Sequence, residues 1–179
     1  AGQGPAAEGR VGGKAPFSKK FTIAELGFGT GLNFLVTLKR FRETAAAGTT
    51  LQYLAVEKFP FTREQLRAVL ALQPELATEA EELLAAYPLR LPGVHRLTFG
   101  AVRLTLFFGE VGDWLQELNA PIDAWYLDGF SPAKNADMWG DDVLARIGKL
   151  SAPGTTFATF TAAGQVKRVE MADVISTRA

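Results

Sequence analysis

The chain has 179 residues, 47% of them hydrophobic, enough to bury one core and too few for several domains of ordinary size. Its 19 basic and 19 acidic side chains cancel, which argues against a protein held to nucleic acid by charge alone but leaves room for a local basic face. The absence of cysteine excludes disulfides, thiolate metal sites and cysteine nucleophiles, and a Ser-His-Asp triad would have to use the single histidine, His95.

Residues 1–20, rich in Gly, Ala and Lys, read as an irregular leader. "FTIAEL" (21–26) is β-prone and bounded by glycine, and "LNFLVTLKRFRE" (32–43) spaces its apolar residues as a helix does. "LQYLAVE" (51–57) predicts a strand. "TREQLRAVLAL" and "PELATEAEELLAAY" predict two helices, the first opened by a Thr cap followed by an acid, the second by proline in its first turn. "HRLTF" and "VRLTLFF", separated by Gly100 and Ala101, predict a hairpin. "VGDWLQEL" is a short helix, "IDAWYLD" (122–128) a strand ending in an acid, "DDVLARIGKL" a helix, "SAPG" a turn and "TTFATFT" (155–161) a strand. The alternation of strand and helix predicts an α/β domain, with a mainly parallel sheet covered by helices on both faces. The sequence changes character abruptly around residues 167–170, and the expectation is that residues are omitted between 164 and 173, the numbering joining two pieces. No apolar run is long enough to span a bilayer and no signal-peptide pattern opens the chain, so the expectation is a cytoplasmic protein without a membrane partner.

Chemistry concentrates at the strand ends. "ELGFGTGLNFL" (25–35) carries glycines at 27, 29 and 31 between the first strand and the first helix. Such a turn allows close approach of a ligand to the backbone, and the helix start beyond it offers unpaired amides to a carboxylate or phosphate. A dinucleotide fingerprint would place its third glycine three positions after the second; here it follows after two, with Asn33 and Phe34 at the helix start. That spacing favours S-adenosyl-L-methionine over a dinucleotide. Glu25, Gly27, Phe28, Gly29, Gly31, Asn33 and Phe34 form the expected cofactor-binding loop. The plainer alternative is a glycine-rich turn that only packs a helix on a strand. Three strands end in acids, Glu57, Glu110 and Asp128, and with Glu25 they would converge on one edge of a parallel sheet. Glu57 is positioned to accept hydrogen bonds from ribose hydroxyls and Glu110 from an adenine amino group; for one such acid a solvated strand end is the better reading, but three on one edge favour a site. No metal site is expected.

The segment "YLDGFSPAKNADMW" (126–139) is more polar than a turn requires. Gly129 lets the chain turn, Pro132 stiffens the loop, Lys134 and Asn135 offer donors, and Trp139 can cover a site or stack on a base. In order, "ELGFGTGLNFL", "VEKFPFT", "PLRLPGVHRL", "AWYLDGFSPAKNADMW" and "LSAPGTTFATFTAAGQVKR" resemble the methyltransferase domain of the bacterial tRNA 5-methylaminomethyl-2-thiouridine biosynthesis (MnmC-like) family, over Phe21 to Arg168. The "LDGFSPAKNADMW" block is the most specific of them. The chain departs from the family pattern at Ala136, where proline is usual, and at Gly154-Thr155, where Gly-Gly is usual. The family's segment before the first strand is not recognisable in residues 1–20, nor are its final strands.

The resemblance implies a Rossmann-like class I S-adenosyl-L-methionine-dependent methyltransferase over residues 21–179. It also implies methylation of the amine of 5-aminomethyl-2-thiouridine at the wobble position of tRNA, with tRNA as partner. It implies a further FAD-dependent oxidase domain in many members, which nothing in this chain matches. Lys58 joins the expected cofactor contacts through the "VEKFPFT" motif. Asp128 is the expected catalytic residue, holding the acceptor amine and taking its proton, and it also borders the cofactor. Phe130, Lys134, Asn135 and Trp139 are expected to bind the substrate. Phe28 and Tyr126 are further candidates to flank an extruded base, although packing is the better reading of Tyr126. His95 reads as structural. Arg63, Arg67, Arg90, Arg96 and Arg103 are candidates for a basic patch, but spacing alone does not put them on one face. Two other readings stand beside this one: methylation of a small amine or polyamine, and a truncated, non-catalytic domain that binds RNA or another partner.

Overall fold

A computed structural model describes residues 19–127 and 141–158. The sequence expectations for the leader, for Asp128, Phe130, Lys134, Asn135 and Trp139, and for the junction near 164–173 lie outside the described residues.

Six strands form one sheet: β1 (Lys20–Leu26), β2 (Thr50–Glu57), β3 (Gly93–Phe99), β4 (Val102–Phe108), β5 (Ile122–Leu127) and β6 (Ser151–Ala158), in the order β3-β4-β2-β1-β5-β6. Among the described strands only β3 runs antiparallel, paired with β4 from Gly93 opposite Phe108 to Phe99 opposite Val102, as the predicted hairpin requires. Helices α1 (Leu32–Thr44), α2 (Arg63–Leu70) and α3 (Ala77–Ala86) cover one face; α4 (Val111–Glu117) and α5 (Asp141–Leu150) cover the other. The two cores meet across the central strands, whose alternate residues serve opposite faces. Leu51, Tyr53 and Ala55 of β2 join Phe34, Leu35 and Leu38 of α1, while Val56 joins Trp114, Leu115 and Trp125.

Local chemistry sets the helix limits. Thr62 accepts the Gln65 amide, and the Gln65 side chain returns to the Thr62 amide, closing a capping box at the start of α2. Pro74 opens a single 3₁₀ turn (Pro74–Leu76) that runs into α3. The guanidinium of Arg42 on α1 grips both carboxylate oxygens of Glu82 on α3 at 2.8 and 2.7 Å. Its hydrogen bonds hold the Glu82 carboxyl below its ordinary value. Because the folded-state pKa is the lower one, the pair stabilises above pH about 4.5 and its contribution fades as pH falls through the lowered value. Both side chains are more than a third exposed, so Glu82→Gln should cost under about 1 kcal/mol at neutral pH. Urea melts of the two proteins at pH 7 and below pH 4 should show that gap closing.

The expected "SAPG" turn is corrected. Residues 151–154 belong to β6, which pairs Ser151 with Ile122 and Thr156 with Ala124, so the intervening residues bulge against Asp123. The Thr155 hydroxyl donates to the Ile122 carbonyl at 2.7 Å and accepts the Ala152 amide at 3.0 Å, tying the bulge into the sheet.

Candidate ligand site at the carboxyl edge of the sheet

The order of the strands reverses direction at β1: the chain moves outward through β2 and β4, then returns to β5 on the other side. Ligands of open α/β sheets sit in the crevice this reversal leaves at the carboxyl ends. Leu26 pairs with Leu127, so the glycine loop after β1 and the end of β5 border that crevice.

The loop is pinned from below. The amides of Gly27 and Phe28 both donate to the Val56 carbonyl, at 3.1 and 2.9 Å, and Gly31 donates to the Phe28 carbonyl at 2.8 Å. Gly31, with φ 73° and ψ 16°, stands at the N-cap of α1, where no side chain caps the helix. A Cβ at Gly31 would lie 2.7 Å from the Phe28 ring and 3.1 Å from Leu83, so only glycine fits. At Gly29 the same atom would meet nothing within 4 Å: the loop is packed beneath Gly31 and open above Gly29.

Glu57 ties this loop to the next strand. One carboxylate oxygen accepts the Gly29 amide and the other the Phe59 amide, both at 2.8 Å. Each oxygen keeps a lone pair for a further donor, so a ribose diol remains compatible with this anchoring. Beside it, Lys58 pairs with Glu110 at 2.7 Å, both half-exposed, and reaches over the Phe59 ring at 5.4 Å. The open space over Gly29, the uncapped helix start and the Glu57 carboxylate together fit a nucleoside that bears a carboxylate and a diol.

Glu25 is placed differently from the expectation. It lies within β1, not in the loop, and is 1% exposed. Tyr53 donates to one of its oxygens at 2.9 Å and the Asn33 side chain to the other at 2.7 Å, which fixes the first turn of α1 against β1. The expected four-acid rim is therefore corrected: Glu57 and Glu110 lie on it, Glu25 supports it from beneath, and Asp128 is outside the described residues. Phe28 and Phe34 are also core residues, 2% and 0% exposed, with ring centroids 6.3 Å apart. A ligand would meet the backbone of Phe28 and not its ring. Tyr126 packs against the same core, its hydroxyl 3.5 Å from that of Thr37. His95 stacks on Phe108 at 4.8 Å, and its Nε2 lies 2.7 Å from the Leu91 carbonyl, a structural role as expected.

Sequence reasoning passed over Tyr87. This residue ends α3, packs on Phe108, and buries a hydroxyl that has no hydrogen-bond partner among the described residues. Burial first, then the nearby Glu57 carboxylate, pushes the phenol up to about 12, with Arg90 opposing, so it stays neutral at any ordinary pH. An unpaired buried hydroxyl costs stability, so Tyr87→Phe should leave the fold intact and raise stability by about 1 kcal/mol. A lowered urea midpoint would show that the hydroxyl has a partner in solution.

The candidate arginines fall into two groups. Arg96 and Arg103 project from β3 and β4 on the face that carries α4 and α5, outward of both helices, on the pairs Arg96–Thr105 and Thr98–Arg103. Arg63 and Arg67 lie on α2, on the opposite face, and Arg63 donates to the Tyr87 carbonyl at 2.6 Å, beside the segment that carries Arg90. Among the described residues no grouping of three His, Asp or Glu side chains suits a metal, and no helix is long and apolar enough to cross a membrane.

Residues 74–172 match the family model described as S-adenosyl-L-methionine-dependent methyltransferase. The chain is similar to the tRNA 5-methylaminomethyl-2-thiouridine biosynthesis bifunctional protein MnmC of Ectopseudomonas mendocina, 51% identical over 86% of this chain and 24% of the relative. The protein of the same name from Chromobacterium violaceum is 50% identical over the same shares. Among solved structures, MNMC2 from Aquifex Aeolicus superposes with a TM-score of 0.58 at 22% identity, over 81% of this chain and 44% of that one, which supports the fold. The chain thus spans about a quarter of the length of the curated relatives it matches.

Proposed function

The chain belongs to the S-adenosyl-L-methionine-dependent methyltransferase family, and from that premise we propose that it methylates the amine of 5-aminomethyl-2-thiouridine at the tRNA wobble position. One observation carries this reading: half the residues across 86% of the chain are identical to those of proteins named for the biosynthesis of 5-methylaminomethyl-2-thiouridine, the product of that methylation. The unmatched three quarters of the relatives leave room for the companion oxidase domain that the sequence resemblance implies.

When bound, the cofactor supplies an electrophilic methyl group on a sulfonium. The chain's own residues do the rest. The Gly27–Gly31 backbone and the first turn of α1 receive the cofactor's carboxylate, and Glu57 receives its ribose hydroxyls. Lys58 and Glu110 border the nucleoside side of the site. Asp128, next in sequence after Leu127, holds the acceptor amine and accepts its proton, because an ammonium has no lone pair with which to attack. An ordinary carboxylate is a weak base near neutrality, so orienting the nitrogen is at least as large a part of its role. Phe130, Lys134, Asn135 and Trp139 contact the extruded nucleotide.

The test is mass spectrometry of wobble nucleosides from tRNA carrying 5-aminomethyl-2-thiouridine, incubated with the protein and methyl-labelled cofactor. The expected result is labelled 5-methylaminomethyl-2-thiouridine. Cofactor binding without label in the nucleoside would overturn the proposed substrate.

A further inference from the structure

Beside the rim of the site, the described surface carries large apolar side chains where none is needed for folding. Phe59 is 76% exposed, Leu89 75% and Leu91 61%. All three lie near the carboxyl edge: Phe59 two residues after β2 ends, and Leu89 and Leu91 just before Gly93, which pairs with Phe108 at the end of β4. They are accompanied by cations. Arg63 and Arg67 sit one turn apart on the same flank of α2, because Leu66 and Leu70 take the inward positions. The Arg63 bond to the Tyr87 carbonyl brings that flank against the segment carrying Leu89, Arg90 and Leu91. Arg90 acts on the Tyr87 phenol electrostatically, which keeps its charge on this side of the molecule. Glu64 is an opposing acid, its carboxyl lowered by its own amide and the Thr62 hydroxyl and, less, by Arg63 and Arg67. With Lys58 and Glu110 paired to each other, three arginines against Glu64 and Glu57 leave a local excess of one positive charge on a chain whose formal net charge is zero.

From this we infer that Phe59, Arg63, Arg67, Arg90, Leu89 and Leu91 form a docking surface for RNA, leading a single-stranded loop from the molecular flank to the ligand site. The inference rests on the proposed RNA substrate and says where that substrate lies. An exposed aromatic ring with a lysine beside it offers a stacking platform for an unpaired base, and the arginines offer phosphate contacts. The other arginine group, Arg96 and Arg103, lies on the opposite face of the sheet and is no part of the path.

The experiment measures binding of unmodified tRNA across a salt series, with cofactor affinity measured in parallel on each protein. The double variant Arg67→Ala/Arg90→Ala should bind tRNA roughly tenfold more weakly, with the slope of log affinity against log salt shallower by about 1.5 to 2. Phe59→Ala should lose about tenfold in affinity with the slope unchanged, because stacking releases no counterions. Arg96→Ala/Arg103→Ala should bind as the parent does, and cofactor affinity should be the same in all four proteins. If the parent binds and methylates tRNA while the Arg67/Arg90 and Phe59 variants match it, this surface is not the path and the proposed function stands. If the parent binds cofactor but no tRNA, the proposed function fails and the inference fails with it.

Discussion

Replacing Asp128 with Asn is expected to slow methyl transfer by about 10²- to 10⁴-fold, the range that a positioned proton acceptor contributes. The amide keeps the shape and can still donate or accept a hydrogen bond, so cofactor affinity should stay within a few-fold of the parent value. Asn cannot take a proton from the acceptor amine. Its loss should therefore fall on kcat and soften at high pH, where the free amine is already deprotonated. A purely structural role predicts a different result: a loss independent of pH, accompanied by weaker cofactor binding. Single-turnover kinetics over a pH series distinguishes the two. An Asp128→Asn protein as fast as its parent would remove this residue from the chemistry.

Gly31→Ala carries the largest expected effect on stability. Its backbone stands at φ 73°, where an L side chain costs about 1–2 kcal/mol, before any contact is counted. The added Cβ would also sit 2.7 Å from Phe28 and 3.1 Å from Leu83, both buried in the core beneath α1. Overpacking of that kind adds about 1–3 kcal/mol, so a total loss of about 2–5 kcal/mol should appear in urea unfolding. Gly29→Ala is the informative contrast. It shares the positive φ, but its new methyl group meets no atom of the described residues within 4 Å and enters the open space over the loop. It should unfold nearer the parent while binding cofactor more weakly. Equal stability loss in both variants would refute the separation of a packed side and an open side.

Much of the fold could be read in the chain. Every described strand and helix except β6, which begins four residues early, follows its predicted segment, because periodicity and caps are local signals: Thr62 and Gln65 are three residues apart, and Gly100-Ala101 joins two strands directly. What could not be read depends on partners distant in sequence. Glu25 looks like a loop acid until Tyr53, 28 residues on, is found donating to it. "SAPG" has the composition of a turn, and only its pairing against Ile122 and Ala124 makes it a bulge within β6. The glycines announced the ligand loop, but their spacing could not show that Gly31 is packed and Gly29 open. The arginines gave no local signal that α2 and the β3–β4 hairpin turn them to opposite faces. Tyr87 resembles any core tyrosine in sequence; that its buried hydroxyl lacks a partner among the described residues and feels the Glu57 charge emerges only in three dimensions.

The carboxylate of Glu57 grips the amides of Gly29 and Phe59 at once. It thereby works as a rivet through two flaps, one bearing the cofactor loop and the other leading to the exposed aromatic. Neither flap can swing without pulling on its neighbour. Filling one seat would stiffen the approach to the other, so cofactor and nucleic acid should each arrive more tightly when the other is already in place.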